Sequence, residues 1–380
     1  MLKFNKERLK EYMDSLGEMS IPARDVTVWQ DHKELFRYSS GHSDAAGKVP
    51  VSDKDVYLLY SSSKLITCVG ALRLVEAGKL NLSDPVYKYL PEYKNITVKD
   101  GDTVRPAKTV MTVFDLFTMC GGLSYDRNTE PIEEISKNDT ASITEVVSSF
   151  VKSPLLFDPS THFAYSFCHD VLGAVEEVVS GKRFGEYLHD EIFAPLGMDT
   201  TSFVLSEEMK NHRSEPYTYD SEKKQLVKGS DGSYFRLNKI YESGGAGIYT
   251  TVNDYIKFAD ALACGGTAYN GYKLLKPETV KMFGSNQLKG TPLEDFQNQM
   301  GHLGHGYGLG VSVLLDPAPR HFKCPVGTFG WGGAAGTRAF IVPSENVSIF
   351  YAQEVENAPC PPEYEKHPHN EIINIVFGGE

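Results

Sequence analysis

Apolar residues after Ser61 recur at the spacing of a helix. The stretch is LLYSSSKLITCVGALRLVEAG over residues 58–78, in which Leu65, Val69 and Leu72 lie three or four positions apart. The run stops at Gly78, a residue that suits a helix terminus. The pattern predicts a buried helix that begins at Ser61.

The two ends of the chain carry strand patterns. Residues 26–41, VTVWQDHKELFRYSSG, predict two short strands around a polar turn at Asp31 to Lys33, after a first helix that runs to about Leu16. Near the C-terminus, GTRAFIVPS and NVSIFYAQEV are β-branched and aromatic runs separated by a turn, and NEIINIVFG predicts a closing helix.

The middle of the chain, residues 85–290, alternates short helical patterns with Gly- and Pro-rich turns. It predicts a mainly helical lobe, and strands are expected only at the two ends. If those ends share one sheet, residues 1–84 and 291–380 form an α/β lobe, and the active site lies in the cleft between the two lobes. The predicted fold class is α/β, of the α+β kind.

The composition is typical of a soluble globular protein. The chain has 380 residues, 41% of them hydrophobic and 23% charged, and no stretch approaches the ~18 apolar residues of a membrane span. Its first residues, MLKFNKERLKEYMDSL, lack the features of a secretory signal, so a cytoplasmic location is expected. The 38 basic and 50 acidic residues give a formal charge of −12, which opposes binding to nucleic acid or anionic membranes. The oligomeric state has no signature.

Ser61 and Lys64 form a Ser-x-x-Lys pair at the start of the predicted helix. Side chains three residues apart lie on one face of a helical turn, which is the spacing of a nucleophile and its base. The same pattern occurs at residues 149–152 and 221–224, but only Ser61 begins an apolar helix. The N–H groups and positive dipole end found there can stabilise an oxyanion and favour a neutral lysine. A serine N-cap followed by a solvated lysine is the alternative.

Two further segments carry candidate chemistry. Tyr165, in FDPSTHFAYSFCHDVLGAV, follows a turn and precedes another apolar helix, and a tyrosine held near a lysine can share its proton. In GTFGWGGAAGTRAF, Gly332 and Gly333 allow a substrate to approach backbone N–H donors. Taken alone, Tyr165 could be a packing tyrosine and the glycines a bulge in a sheet.

In this order and spacing, the three elements resemble those of the serine β-lactamase-like hydrolases: class C β-lactamases, penicillin-binding proteins and, closest in motif, family VIII carboxylesterases. The similarity covers nearly the whole chain, because GKLNLSDPVYKYLPE, TVFDLFTMCGGL, IFAPLGMDTTSF, GGAGIYTTVNDYIKFADAL and GYGLGV also look like segments of that family. The resemblance implies a β-lactamase/transpeptidase-like fold, with a central antiparallel sheet flanked by helices and a mainly helical lobe.

The resemblance also implies catalytic roles. Ser61 would be the nucleophile, Lys64 its proton acceptor, and Tyr165 the tyrosine of the family's Tyr-x-Asn motif. Which of Lys64 and Tyr165 is the principal base stays open, because strongly interacting groups titrate together.

The third motif, Lys-Thr-Gly in many lactamases, aligns with Trp331-Gly332-Gly333, and Ala334 would supply one oxyanion N–H beside that of Ser61. Tryptophan in place of lysine is similar to family VIII esterases, and it replaces a cation with an apolar plate. Phe167 occupies the place of the asparagine of the second motif, so an amide is lost as well. Both departures favour an uncharged acyl substrate, and the aromatic side chains could line an acyl pocket.

Other kinds of site find less support. His302 and His305, and likewise His367 and His369, lack a third ligand, so no metal is expected. The chain contains no Gly-x-Ser-x-Gly, no complete P-loop and no dinucleotide fingerprint, and no cofactor is expected.

The resulting hypothesis is a serine hydrolase that cleaves carboxylic esters through an acyl-enzyme, acting on a small-molecule ester or amide. The alternatives within the superfamily are a β-lactamase, a D-peptide or amide hydrolase and an acyltransferase. Outside enzymes, the alternative is a catalytically silent binding protein on this fold.

Overall fold

Pairing between the two ends of the chain builds the main sheet. The computed structural model describes residues 1–230, 232, 234–359 and 368–379. The hairpin predicted near the N-terminus is present, and its turn contains Asp31 and His32 in the left-handed conformation, at φ 50° and 64°. Its first strand also pairs antiparallel with a strand near the C-terminus, where Asp25 lies opposite Ala352. The ends therefore share one sheet, as the strand patterns suggested.

The strands in chain order are β1 Ala23–Gln30, β2 Lys33–Gly41, β3 Val56–Leu58, β4 Thr97–Asp100, β5 Thr103–Pro106, β6 Tyr217–Asp220, β7 Gln225–Lys228, β8 Tyr249–Thr251, β9 His305–Tyr307, β10 Ser312–Leu314, β11 Phe329–Gly330, β12 Arg338–Val342, β13 Val347–Ala352 and β14 Val355–Glu356. Within the described residues, seven of these form one antiparallel sheet in the order β2-β1-β13-β12-β11-β10-β9. Smaller pairings join β3 to β8, β4 to β5, and β6 to β7 and β14.

The helices are α1 Lys6–Ser15, α2 Ser63–Glu76, α3 Val113–Phe117, α4 Glu130–Ser136, α5 Ile143–Ser149, α6 Cys168–Ser180, α7 Phe184–Leu188, α8 Ala194–Leu196, α9 Glu207–Asn211, α10 Val252–Ala263, α11 Pro277–Phe283, α12 Thr291–Met300 and α13 His369–Phe377. The helix predicted to begin at Ser61 starts as a 3-10 turn over Tyr60–Ser62 and continues as α2. The first and last predicted helices are also present, as α1 and α13.

The central strands of the sheet are buried on both faces. Along β13, Ile349 and Tyr351 pack in a core shared with α1 and α13, whereas Phe350 and Ala352 face the opposite core. This alternation follows from the two-residue period of a strand. A strand covered on both faces has no solvent-facing side, which explains why all of VSIFYA except Ser348 is apolar.

The helix α10 corrects the predicted domain boundaries. Residues 85–290 were expected to belong to a helical lobe, but α10 packs on the sheet, where the rings of Tyr255 and Phe350 stack with centroids 4.1 Å apart. An amphipathic helix can bury its apolar face against a sheet or against other helices, and its sequence pattern does not distinguish the two.

The helices nearest the candidate site pack on one another. The helix α2 lies against α6 and α7, and α3 and α5 also contact α6.

The expectation that strands occur only at the chain ends is wrong, because β4–β5, β6–β7 and β8 lie in the middle of the chain. The strands β5 and β7 are short and largely exposed, so they lack the apolar alternation that marks a half-buried strand. Among the described residues, no helix is long and apolar enough to cross a membrane.

Candidate active site

Ser61 lies beside a residue with a left-handed backbone. Tyr60, which precedes it, has φ +44°, a conformation that residues other than glycine rarely adopt. The Tyr60 side chain is buried and its hydroxyl donates to Glu356 at 2.8 Å, so that packing holds this turn in place. The turn exposes part of Ser61 to a cavity, while the next residues of α2 are buried.

The two other Ser-x-x-Lys segments lack this environment. The Ser149 hydroxyl is buried and donates to the carbonyl of Val146 at 2.6 Å. Ser221 and Lys224 lie in the exposed turn between β6 and β7. Within the described residues, only the pair at Ser61 combines a serine–lysine contact with a cavity.

Lys64 is fully buried and makes three polar contacts. Its Nζ donates to the Gly245 carbonyl at 2.8 Å, and it lies 3.3 Å from Ser61 Oγ and 3.3 Å from the Tyr125 hydroxyl. Because a carbonyl can only accept, Gly245 fixes one N–H and leaves the rest of the amine turned toward the two hydroxyls. In the neutral amine, the lone pair can therefore take a proton from either of them.

A buried carboxylate holds the segment that orients Lys64. Asp170, on α6, accepts hydrogen bonds from the hydroxyls of Tyr241 at 2.9 Å and Ser243 at 2.6 Å. A Cβ added to Gly245 would lie 2.5 Å from Asp170 Oδ2 and 3.2 Å from Lys64 Nζ, so glycine is required between them. Burial raises the pKa of Asp170, whereas the charge of Lys64 opposes that rise.

Tyr125 is a site residue that the sequence did not reveal. Its hydroxyl is 3.3 Å from Lys64 Nζ, and the Ser61 side chain is a further hydrogen-bonding neighbour. Burial, together with nearby Tyr165, raises the pKa of Tyr125 well above its usual value, so the phenol keeps its proton at neutral pH. The only sequence signal was the Cys-Gly-Gly turn that ends TVFDLFTMCGGL, just before this tyrosine.

Tyr165 lies in the site, but its hydroxyl has a different partner from the one expected. It accepts a hydrogen bond from Trp331 Nε1 at 3.2 Å, and the two rings stack with centroids 5.7 Å apart. Lys64 Nζ faces the Tyr165 ring, 4.7 Å from its centroid, rather than the hydroxyl. The sequence predicted that Tyr165 shares a proton with Lys64, but in the structure the hydroxyl that lies 3.3 Å from Lys64 Nζ is that of Tyr125.

The Gly-rich segment forms a tight turn against the chain that leads into α2. Gly333 N–H donates to the Thr337 carbonyl at 2.8 Å, and the Thr337 hydroxyl donates to the Leu59 carbonyl at 3.0 Å. A Cβ on Gly333 would lie 2.2 Å from the oxygen of Leu59, so only glycine fits. Ala334 follows on the exposed side and lines the same cavity as Ser61. Its N–H has no hydrogen-bond partner among the described residues, as an oxyanion donor requires.

The cavity beside Ser61 has a volume of about 510 Å³. This size is within the range of small-molecule sites. Its aromatic wall consists of Tyr125, Tyr165, Tyr234, Phe235 and Trp331. Its remaining lining includes Gly332, Gly333, Ala334, His302, Arg338, Gln353 and His369. An apolar acyl group can therefore lie against the aromatic side chains while its carbonyl reaches Ser61.

Phe167 does not line this cavity, which corrects its predicted role in the acyl pocket. Its side chain is only 1% exposed, stacks on Phe150 with centroids 4.5 Å apart, and meets the ring of Tyr125 edge-on at 4.9 Å. Phe167 is thus a packing residue behind Tyr125, and it holds the ring whose hydroxyl contacts Lys64.

The histidines named from the sequence do not assemble a metal site in the described residues. The rings of His302 and His305 lie 5.6 Å apart, and His302 packs against Trp331. His367 lies outside the described residues. Elsewhere, His32, Asp260 and Cys264 place one potential ligand atom each within 4.8 Å of one another, away from the cavity at Ser61. His32 Nδ1 is 2.7 Å from Asp260, a contact that ties the β1–β2 turn to α10.

The chain is similar to a known protein family and to individual proteins along most of its length. A family model described as Beta-lactamase matches residues 6–359. Protein Rv1367c of Mycobacterium tuberculosis is 28% identical over 336 residues, which cover 85% of this chain and 83% of that protein. Esterase EstB of Burkholderia gladioli is 27% identical over 357 residues, which cover 88% of this chain and 84% of that protein.

Among solved structures, "EstCE1, a hydrolase with promiscuous acyltransferase activity" superposes with a TM-score of 0.81. It is 22% identical, and the superposition covers 97% of each chain. This likeness confirms the predicted β-lactamase/transpeptidase-like fold.

Proposed function

The chain belongs to the beta-lactamase family, and on that premise we propose that it is a serine hydrolase that cleaves carboxylic esters through an acyl-enzyme intermediate. The observation that carries the proposal is the 3.3 Å contact between Lys64 Nζ and Ser61 Oγ at the edge of the cavity. A serine hydroxyl is a weak nucleophile until an adjacent base accepts its proton, and a buried neutral lysine can serve as that base.

The first half of the reaction forms the acyl-enzyme. Ser61 Oγ attacks the ester carbonyl carbon, and its proton passes to Lys64, either directly or by exchange through the Tyr125 hydroxyl. The carbonyl oxygen becomes an oxyanion that accepts hydrogen bonds from the N–H groups of Ser61 and Ala334. Collapse of this intermediate breaks the ester C–O bond, and the leaving alkoxide takes the proton back from the Lys64–Tyr125 pair.

The second half of the reaction releases the acid. A water molecule gives a proton to the same pair and attacks the acyl carbon, and Ser61 leaves with that proton. Trp331 donates to the Tyr165 hydroxyl at the cavity wall. The rings of Tyr165 and Tyr125 lie over Lys64 Nζ, with their centroids 4.7 and 5.4 Å away, so that the amine faces aromatic rings.

We favour ester cleavage over β-lactam cleavage because of the residue at the start of the third motif. Trp331 stands where many β-lactamases have a lysine, so its apolar ring takes the place of a charge that could pair with the carboxylate of a β-lactam. The name of Esterase EstB, which is similar over 88% of this chain, supports the same reaction class.

Acyl transfer to an alcohol or amine is the second candidate. EstCE1, which shares this fold, is called a hydrolase with promiscuous acyltransferase activity. The cavity of about 510 Å³ also leaves room for an acceptor molecule beside a short acyl chain. Both candidates use the same acyl-enzyme and differ in what attacks it.

The test is acylation of Ser61. The purified protein is incubated with p-nitrophenyl esters of increasing acyl length, with a cephalosporin and with a D-Ala-D-Ala peptide, and the intact mass and product release are followed. Ser61→Ala should abolish both the adduct and turnover. Ser221→Ala is the matched control, since it removes the serine of an exposed Ser-x-x-Lys segment, and should change neither.

The outcomes separate the candidates. Adding acceptor alcohols distinguishes transfer from hydrolysis by the identity of the product. Faster turnover of the cephalosporin or the peptide than of any ester would overturn the esterase proposal. Failure of a serine-reactive phosphonate to label Ser61 would leave a binding protein on this fold.

A further inference from the structure

Three potential metal ligands of different kinds meet where the β1–β2 turn contacts the end of α10. His32, in that turn, places Nδ1 2.7 Å from Asp260 Oδ2. Cys264 Sγ lies 3.8 Å from Oδ1 of the same carboxylate. One ligand atom from each residue lies within 4.8 Å of those from the other two. An imidazole, a carboxylate and a thiol are thus close enough together to share one ion.

The end of α10 brings two of these ligands to one side of the helix. Asp260 lies in its last turn and Cys264 directly follows it, so the two side chains are four residues apart on one face. The backbone dipole is negative at this end of a helix, which favours a bound cation. The charge of Asp31, in the β1–β2 turn, also acts on the Cys264 thiol. The local field therefore attracts a positive ion.

The carboxylate of Asp260 is enclosed, while its neighbours remain accessible. The Asp260 side chain is fully buried, and its ion-pair partner among the described residues is His32. Buried carboxylates in proteins are paired or coordinate a metal. The His32 side chain is 33% exposed and Cys264 is half-buried, so an ion can enter from solvent.

The separations of the ligand atoms are close to those around zinc. Tetrahedral zinc binds nitrogen and oxygen at about 2.0–2.1 Å and sulfur at about 2.3 Å, which places neighbouring ligand atoms roughly 3.3–3.6 Å apart. The 3.8 Å between sulfur and oxygen nearly fits this value. The 2.7 Å between nitrogen and oxygen must widen by about 0.6 Å, which a small rotation of the partly exposed His32 ring allows. Thiolate and imidazole ligands favour zinc over magnesium or calcium.

We propose that His32, Asp260 and Cys264 bind a zinc ion that ties the β1–β2 turn to α10. The Cys264 thiol gives its proton to solvent when the ion binds, and water completes the tetrahedron. The sequence predicted no metal, because 228 positions separate His32 from Asp260 and no local motif joins them. The three residues do not line the cavity at Ser61, so the proposal does not depend on ester hydrolysis.

The test is metal binding by the full-length protein. After treatment with EDTA and removal of the chelator, the protein is titrated with zinc chloride by calorimetry and with cobalt chloride by absorption spectroscopy. We expect a zinc ion bound at this site and a thiolate-to-cobalt charge-transfer band in the near ultraviolet. With free zinc ~100-fold above Kd, Tm should rise by about 3 °C, because the ion binds only the folded chain.

Variants identify the ligands. Cys264→Ser and His32→Gln should each weaken zinc binding by at least ~100-fold, and Cys264→Ser should also lose the cobalt band. The matched control is His162→Gln. His162 Nδ1 lies 2.8 Å from Asp295, so this pair repeats the imidazole–carboxylate contact, but the described residues place no third ligand beside it. The control should bind zinc as the unmodified protein does.

Two results would overturn the proposal. One is an unmodified protein that does not bind zinc. The other is a Cys264→Ser variant that keeps the zinc affinity and the cobalt band, because the ion would then lie elsewhere. A measurement on the unmodified protein decides if a variant does not fold: zinc should slow the alkylation of Cys264 by iodoacetamide, followed by mass spectrometry of its peptide. Equal alkylation rates with and without zinc would contradict the site, whatever the protein does to esters.

Discussion

Replacing Tyr125 by phenylalanine tests which tyrosine takes part in proton transfer. The Tyr125→Phe change removes the hydroxyl that lies 3.3 Å from Lys64 Nζ and leaves a ring that still packs on Tyr165 and Phe235. The matched change is Tyr165→Phe, which removes only the acceptor for Trp331 Nε1. Each variant loses one oxygen atom from the same cavity wall.

The expected magnitudes differ because the lost contacts differ in kind. A positioned acid–base group contributes roughly 10²- to 10⁴-fold to a reaction, whereas one neutral hydrogen bond contributes about 0.5–1.5 kcal/mol, or roughly 2- to 13-fold. Tyr125→Phe should therefore lower the acylation rate by ~100-fold or more. Tyr165→Phe should lower it by less than ~13-fold.

The assay is the pre-steady-state burst of p-nitrophenol from p-nitrophenyl butyrate. It reports acylation separately from release of the acid. Thermal unfolding of both variants shows whether the loss follows from misfolding. A larger loss in Tyr165→Phe than in Tyr125→Phe would refute the assignment, since the hydroxyl with no contact to Ser61 or Lys64 in the described structure would then be the one that matters.

Three further changes test other contacts. Gly333→Ala should lower kcat/KM by ~100-fold or more, because the added Cβ would lie 2.2 Å from the Leu59 oxygen and displace the turn. The control Gly232→Ala should leave kcat/KM nearly unchanged, and equal effects of the two substitutions would contradict the prediction. Burial holds the pKa of His169 at about 3, below its usual 6.5. Because only the unfolded state then takes up a proton on this histidine below pH 6.5, the free energy of unfolding should fall by about 2 kcal/mol between pH 6.5 and 5. Urea unfolding at both pH values should show a smaller fall in His169→Gln, and an unchanged fall would exclude this histidine as its source. Trp331→Phe keeps an aromatic plate but loses the donor to Tyr165, so butyrate hydrolysis should drop by less than ~13-fold, and a complete loss of hydrolysis would indicate a direct role in catalysis.

Local sequence patterns predicted the helices and strands in which a single periodicity of apolar residues runs through the element. The α2 helix and the β1–β2 hairpin follow from residue spacing, because each repeats one periodicity over several residues. The helix α10 has an equally clear period, but whether it packs on the sheet or among helices depends on residues far away in the chain. Ring stacking between Tyr255 and Phe350 is a tertiary contact that no local pattern contains.

In the candidate site, contacts between residues close in sequence could be predicted, whereas contacts between distant residues could not. Ser61 and Lys64 are three residues apart on one helix, so their contact follows from helix geometry alone. Tyr125 reaches Lys64 across 61 positions of sequence, and an isolated tyrosine in a loop carries no signal of that contact. The resemblance pointed to Tyr165 by alignment, which places a residue at a site but does not fix the direction of its hydroxyl.

The distant pairings around Ser61 have a consequence for how the protein folds. The Ser62 and Thr337 hydroxyls hydrogen-bond across 275 positions, and β1 pairs with β13 at the other end of the chain. Contacts this far apart in sequence form slowly, and during synthesis they must wait until residues 338–352 have left the ribosome. The nascent protein should therefore be inactive until its sheet closes. In refolding, recovery of ester hydrolysis should coincide with the last step of sheet formation. The rate at which activity returns would then measure the rate at which folding is completed.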